Sequence, residues 1–274
     1  MTDNLPAARI LLGGTVVHLL ELDGVVGAVR DRLTAPAQPA RPLAIASANV
    51  DHIHHFGSAG QGRVDFEAAG PASPDWLVLL DGVPLVRRAA LLTGRDWPLL
   101  AGSDLLPLLL GVAESAGATV GFLGGTPTGH ELLLAALSEQ LPALKISGTW
   151  APPRAQLTDP KGAAELAATV AGTRTELLVV GLGKPRQERW IAEYAQASGA
   201  RVLLAFGAAT DFIAGTVQRA PAWVRKAGVE GAYRLAREPR RLARRYIVQG
   251  PPALYRLRKN SRLATESPAT TEDK

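Results

Sequence analysis

Short unbroken apolar runs alternate along the chain with stretches in which apolar residues recur every three or four positions. The runs cover residues 43–48, 75–80, 119–123, 144–149, 177–180 and 201–206. Apolar runs of this length, bounded by turn residues, mark strands covered on both faces. Residues 22–33 carry Leu22, Val25, Val26, Val29 and Leu33 at helical spacing. Helices are also predicted over 86–92, 105–116, 131–141 and 163–170. Residues 9–20 read as a strand interrupted at Gly13-Gly14, 1–8 as disordered and 35–42 as a proline-rich loop. Strand–helix alternation from residue 9 to about 215 predicts an α/β fold, Rossmann-like, with a mostly parallel sheet covered by helices on both faces.

The chemistry gathers where strands end. Residues 176–190 run from an apolar strand through Gly181-Leu182-Gly183 to Pro185, which suits a helix's first turn. Gln187 and Glu188 follow, Glu188 as a helix cap, and Trp190 and Ile191 begin a buried face. A second strand–glycine–helix unit holds Gly124-Gly125. Open α/β sheets bind ligands at such strand ends, and helix N-termini offer N–H groups to phosphate. The second unit is no Walker A loop, because His130-Glu131 follow Gly129. The first is no dinucleotide loop, because Arg186 stands where a third glycine is needed and the next strand ends in Phe206-Gly207, without an acid. A nucleotide-sugar diphosphate fits the same geometry. Asp81, ahead of Gly82 at another strand end, is either a chemical carboxylate or a turn residue. Asp104 or Ser103 is expected to cap the helix that follows them, and Asp159 or Pro160 to open another.

Composition adds limits. The chain has 274 residues, 47% of them hydrophobic, and no cysteine, so disulfides and thiolate metal sites are excluded. No basic, then apolar, leader opens it, and no run of 18 uncharged apolar residues offers a spanning helix. Residues 1–218 carry a net charge of −4, whereas 219–262 carry +11. That segment predicts a polyanionic partner. A helix is expected over 240–248, broken by Gly250-Pro251-Pro252. Residues 254–263 alternate apolar and basic side chains, and 267–274 read as a disordered tail. The expected division is thus a disordered 1–8, an α/β domain over 9–218, a basic helical appendage over 219–262 and a tail over 263–274. His52, His54 and His55 raise a metal site, which would need ligands from other strands; a surface or helix-start role is the preferred reading.

The block Val180-Gly181-Leu182-Gly183-Lys184-Pro185-Arg186-Gln187-Glu188-Arg189-Trp190 resembles the glycine, proline, Gln-Glu, Trp signature of the WecG/TagA/CpsF glycosyltransferases. Supporting blocks follow in the family's order: Ala48 to His52, Asp81 to Pro84, Ala101 to Leu105, Phe122 to Gly125, Phe206 to Gly215, Arg219 to Trp223 and Tyr233 to Tyr246. The match runs over residues 43–250. The chain departs from the family at Gly231-Ala232, where a Trp is usual, and at Leu99-Leu100, where an Arg is usual. Arg95 is a candidate substitute for that Arg.

The resemblance implies an inverting, metal-independent transferase without a cofactor. It moves an N-acetylmannosamine-like sugar, a uronic acid or a hexose from a UDP-sugar donor to a polyprenyl-diphosphate-linked acceptor, in making cell-envelope polysaccharide or teichoic-acid-type polymer. Asp81 is then the general base. Ser47, for the family's Thr, and Asn49 lie at the acceptor. Gly124, Gly125, Gly181, Gly183, Gln187, Arg234, Arg241 and Arg244 lie at the donor. The expected location is cytoplasmic, peripheral on the inner face of the membrane, where the appendage meets an anionic surface; homo-oligomerisation is left open. Two other classes compete. One is a nucleic-acid-binding α/β protein using the Arg-rich segment, although no nucleic-acid motif appears and only Tyr233, Tyr246 and Tyr255 supply aromatic rings there. The other is a metal-dependent hydrolase using the three histidines.

Overall fold

The computed structural model describes residues 8–68, 70–217, 233, 235, 237 and 239–264. Its centre is a six-stranded, wholly parallel sheet built from β3 (Leu43–Ala48), β4 (Asp75–Leu80), β5 (Thr119–Gly124), β6 (Lys145–Trp150), β7 (Leu177–Gly181) and β8 (Val202–Ala205), in the order β4-β3-β8-β7-β5-β6. The apolar runs are explained by this burial: every residue of β3 is buried, as is every residue of β8. β6 is the exception, a half-exposed edge strand.

Helices cover both faces. On one lie α2 (Val50–Phe56), α3 (Val83–Thr93), α7 (Pro160–Gly172) and α8 (Arg186–Tyr194), whose Ile53, Leu85, Leu166, Trp190 and Ile191 share one core with the sheet. On the other lie α1 (Leu22–Thr34), α4 (Gly102–Ser115), α5 (Pro127–Gln140) and α9 (Gly207–Ile213), around Val29, Leu106, Leu109, Leu133 and Ala209. A one-turn helix, α6 (Arg154–Thr158), precedes α7 and has no apolar periodicity to announce it.

Several expectations need correcting. Residues 9–20 form two antiparallel strands, β1 (Ala8–Leu12) and β2 (Thr15–Leu19), because Gly13 and Gly14 both take positive φ and reverse the chain. Helix α3 starts three residues early, with Gly82 as its N-cap at φ +113°. Ala101, not Ser103 or Asp104, caps α4. Asp159 does cap α7, accepting from the Gly162 N–H at 3.1 Å.

Gly250-Pro251-Pro252 does not break the C-terminal helix. Helix α10 (Pro239–Ala243) passes into a π-helical turn over Arg244–Gln249 and then into α11 (Gly250–Lys259). Proline lacks the N–H for an α-helical bond and its ring clashes with the carbonyl four residues back. The π-helical turn ends before the prolines, which stand in the first turn of α11, where a missing N–H costs least. Ala253 and Leu257 of α11 are buried in the body's core, Arg256 donates to the His54 carbonyl at 3.2 Å, and Arg88 of α3 donates to the Arg258 carbonyl at 3.1 Å. A two-residue strand, β9 (Arg262–Leu263), completes the sheet β2-β1-β9. Of the segments expected to be disordered, 1–8 and 263–274, Ala8 stands in β1 and Leu263 in β9; 1–7 and 265–274 lie outside the described residues, as does most of 218–238.

Candidate active site

The register of the parallel sheet brings its C-terminal ends into one row. Ala48 pairs with Leu80, Ala46 with Ala205, Val179 with Leu204, and Gly124 with Gly181. The expected site residues Ser47, Asn49, Asp81, Gly124, Gly125, Gly181, Gly183 and Gln187 therefore converge on one edge, from four strands.

At the β3–β4 end, Asn49 is the N-cap of α2, and its Oδ1 accepts from the His52 N–H at 3.1 Å. That bond aims its amide at Asp81, with Nδ2 to Oδ2 at 3.2 Å. The Asp81 N–H donates to the Ala48 carbonyl at 2.8 Å. Asp81 is partly exposed, just ahead of the Gly82 turn. A carboxylate so oriented and partly exposed suits proton abstraction from a hydroxyl. Ser47 is buried, with its Oγ against the α4 start at Gly102.

At the β5–β7 end, the crossovers part: β7 leads toward β8 and β5 leads outward to β6. Such a switch point opens a crevice. Here it holds a cavity of about 250 Å³ lined by Gly124, Gly125, Thr126, His130, Gly181 and Asp211, among others. The α5 N-terminus opens into it, with Thr126 Oγ1 accepting from the Gly129 N–H at 3.1 Å. The glycines are required sterically. A Cβ on Gly124 would lie 2.2 Å from the Gly181 carbonyl oxygen, and one on Gly207 would lie 2.2 Å from the Gly181 Cα. The backbones of β5, β7 and α9 meet without side chains between them.

Gln187 is buried, and both of its amide hydrogens are used: Nε2 donates to the Ala205 carbonyl at 2.8 Å and to Glu188 Oε1 at 3.1 Å. The reversed amide would set its oxygen against two others, so the orientation is fixed. Oε1 lies beside Gly207. Glu188 is not the cap of α8, whose N-cap is Pro185; it is wholly buried beside Lys184 at 3.5 Å. Burial pushes its pKa up against the opposing pull of Lys184. Lys184 Nζ donates to the Ser47 carbonyl at 2.5 Å. Sequence reasoning assigned Lys184 no role, since a backbone carbonyl 137 residues away leaves no signal in the sequence.

The histidines are corrected. His52 is fully buried, its ring 4.7 Å from that of Phe56 and 5.1 Å from that of Phe66, with neither ring nitrogen hydrogen-bonded. Burial, then the Lys184 and His55 charges, hold its pKa well below the ordinary value. It stands in the first turn of α2, as a helix-start role expects, but its ring is a neutral core group and not a surface one. Among the described residues no three metal-ligating side chains come together. Arg95 is held on Glu21 at 2.5 Å and over the Trp97 ring at 4.3 Å. Of the expected donor arginines, Arg244 stands exposed in the π-helical turn. Arg234 and the side chain of Arg241 lie outside the described residues.

A parallel α/β sheet with a carboxylate at one end of its ligand edge and a glycine-lined crevice at the other is a ligand-binding α/β architecture. Residues 10–267 match the model of the "Glycosyl transferase WecG/TagA/CpsF family", and the chain belongs to that family. It is similar to an "N-acetylglucosaminyldiphosphoundecaprenol N-acetyl-beta-D-mannosaminyltransferase" of Bacillus subtilis (strain 168), 28% identical over 61% of this chain and 63% of that protein. Proteins of the same description from Bacillus spizizenii and Staphylococcus aureus (strain MRSA252) are 27% and 29% identical, over 61% and 32% of this chain and 63% and 34% of theirs. The chain thus spans less than two thirds of the length of the curated relatives it matches.

Proposed function

We propose that this chain is an inverting, metal-independent glycosyltransferase that moves a sugar, N-acetylmannosamine-like, from a UDP donor to a polyprenyl-diphosphate-linked amino sugar. The observation that carries the reading is Asp81, oriented by Asn49, at the opposite end of the strand-end row from the β5–β7 cavity. Four strand spacings separate β4 from β5, about 19 Å, room for an extended nucleotide sugar. The nucleotide enters the cavity, its diphosphate passes the α5 N-terminus, and the sugar's anomeric carbon comes to Asp81. Asp81 takes the acceptor hydroxyl's proton as that oxygen attacks, and UDP departs from the opposite face. The developing charge is met by helix N-termini and by arginines of the appendage. The names of the relatives support the acceptor class, and the family supports the reaction class.

The division into a catalytic body (9–218), an appendage (219–262) and a tail (263–274) belongs to the same proposal, with the appendage resting on the cytoplasmic leaflet. Among the described residues no helix is long and apolar enough to cross a membrane. Ile247, Val248, Leu254 and Tyr255 are exposed alongside Arg244, Arg258 and Lys259. This interleaving supports an anionic lipid partner over a nucleic acid.

The test is UDP release from a UDP-sugar panel with a prenyl-diphosphate-linked N-acetylglucosamine acceptor, in EDTA. Turnover is expected with at least one donor. Asp81→Asn should lower kcat by about 10²- to 10⁴-fold, the usual weight of a general base, while UDP still binds. Near-wild-type turnover by that variant would remove Asp81 from the mechanism.

A further inference from the structure

We propose that Lys184 is a positioning residue that locks the acceptor-side strand end to the donor loop; the proposal rests on the transferase reading above. Lys184 belongs to the β7–α8 loop, next to Gly183, yet its ammonium is bonded to the carbonyl of Ser47 in β3. These strands are not neighbours, because β8 lies between them. Their ends are roughly 10 Å apart, two strand spacings, and the four-carbon stem of a lysine bridges the gap.

The cation is fixed from behind. Glu188 Oε1 lies 3.5 Å from Nζ, Gln187 Nε2 bonds that same oxygen, and Gln187 also bonds the Ala205 carbonyl at the end of β8. Ser47 O, Lys184, Glu188, Gln187 and Ala205 O thus form one buried chain of polar contacts that ties β3, β7 and β8 together. Its acceptor-side end is one residue from Ala48, which receives the Asp81 N–H, and two from Asn49, which orients the Asp81 carboxylate. Lys184 acts on the base through this strand end, without touching it. A charge-assisted bond to a backbone carbonyl is short and directional, so it holds a peptide where an apolar contact would let it slide.

The experiment compares Lys184→Met, which keeps the stem and removes the donor, with Lys184→Met/Glu188→Gln, which removes both buried charges and protects the fold. Both variants should show kcat/KM for the acceptor lowered about 10- to 100-fold, as a small misplacement of the base does, with the KM for the donor within about twofold of wild type. If the double variant regains wild-type acceptor kinetics, Lys184 serves only to neutralise Glu188, and the proposal is overturned. An equal rise in donor and acceptor KM overturns it as well. Backbone amide exchange decides independently of turnover. Lys184→Met should speed exchange at the Asp81 amide and leave residues 124–130 unchanged; an unchanged Asp81 amide refutes positioning. If wild type turns over none of the donors, the transferase reading fails, and the exchange result still decides what Lys184 holds.

Discussion

His18 shows how one side chain can tune the molecule's response to acid. It is buried in β2, and its Nδ1 accepts from the Val78 N–H of β4 at 3.1 Å, giving that edge strand's outward donor a partner. Burial, with help from Arg9, lowers its pKa to about 4. The unfolded chain takes up this proton near pH 6.5, the folded one only near 4, so between those values unfolding binds the extra proton. Stability is therefore complete above about pH 6.5 and falls as the pH drops toward 4, by about 3 kcal/mol from this residue. His52, also held well below its ordinary pKa, acts in the same direction. His18→Asn keeps an acceptor and removes the titration; urea unfolding at pH 7 and pH 5 should show a smaller acid loss than in wild type. At this scale the sequence was informative about Asp81, Asn49 and the glycines, because strand–helix alternation sends them all to one edge. It did not report the burial of His52. Three clustered histidines do not reveal which one a seven-residue helix turns into the core.

Elements carry the next level of control. Helix α2 begins at the residue that orients Asp81 and also receives the C-terminal segment. Arg245 of the π-helical turn lies 3.5 Å from Asp51, and His55 lies 3.8 Å from the same aspartate. Burial lowers the His55 pKa, Asp51 raises it, and the nearby cations lower it further. Asp51→Asn should remove about 1 kcal/mol, the worth of a partly exposed ion pair, seen as a small drop in melting temperature with UDP binding preserved. A loss confined to UDP binding would show that the pair supports the donor site and not the docked segment. Element types were mostly legible from periodicity. The failures were chemical: two glycines with positive φ turned one strand into a hairpin, and two prolines opened a helix where they were expected to end one. Periodicity does not report either outcome, since each depends on what the neighbouring turn can absorb.

Over the whole molecule, charge is segregated. The acidic body meets the described part of the +11 segment across α2 and α3, and the exposed residues of that part mix cations with apolar side chains. Binding to anionic vesicles should weaken steeply with salt. Ile247→Ser/Val248→Ser should lower it by about tenfold, as lost burial of two partly inserted side chains predicts, with turnover of a soluble acceptor analogue intact. Unchanged vesicle binding would place the lipid contact elsewhere. Composition announced the charge but not its docking, because Ala253 and Leu257 look no different in sequence from the exposed Leu254.

The pairing of β9 with β1 also sets a timetable. Ile10 waits for Leu263, and the Gly13 N–H waits for the Ser261 hydroxyl, 248 residues later. At 5–20 residues per second of synthesis, the delay is roughly 12 to 50 s. During that interval the nascent hairpin presents an open strand edge, free to recruit a foreign strand. Closure of this small sheet thus comes long after its hairpin is made, and until then the unpaired edge of β1 is what most needs protection.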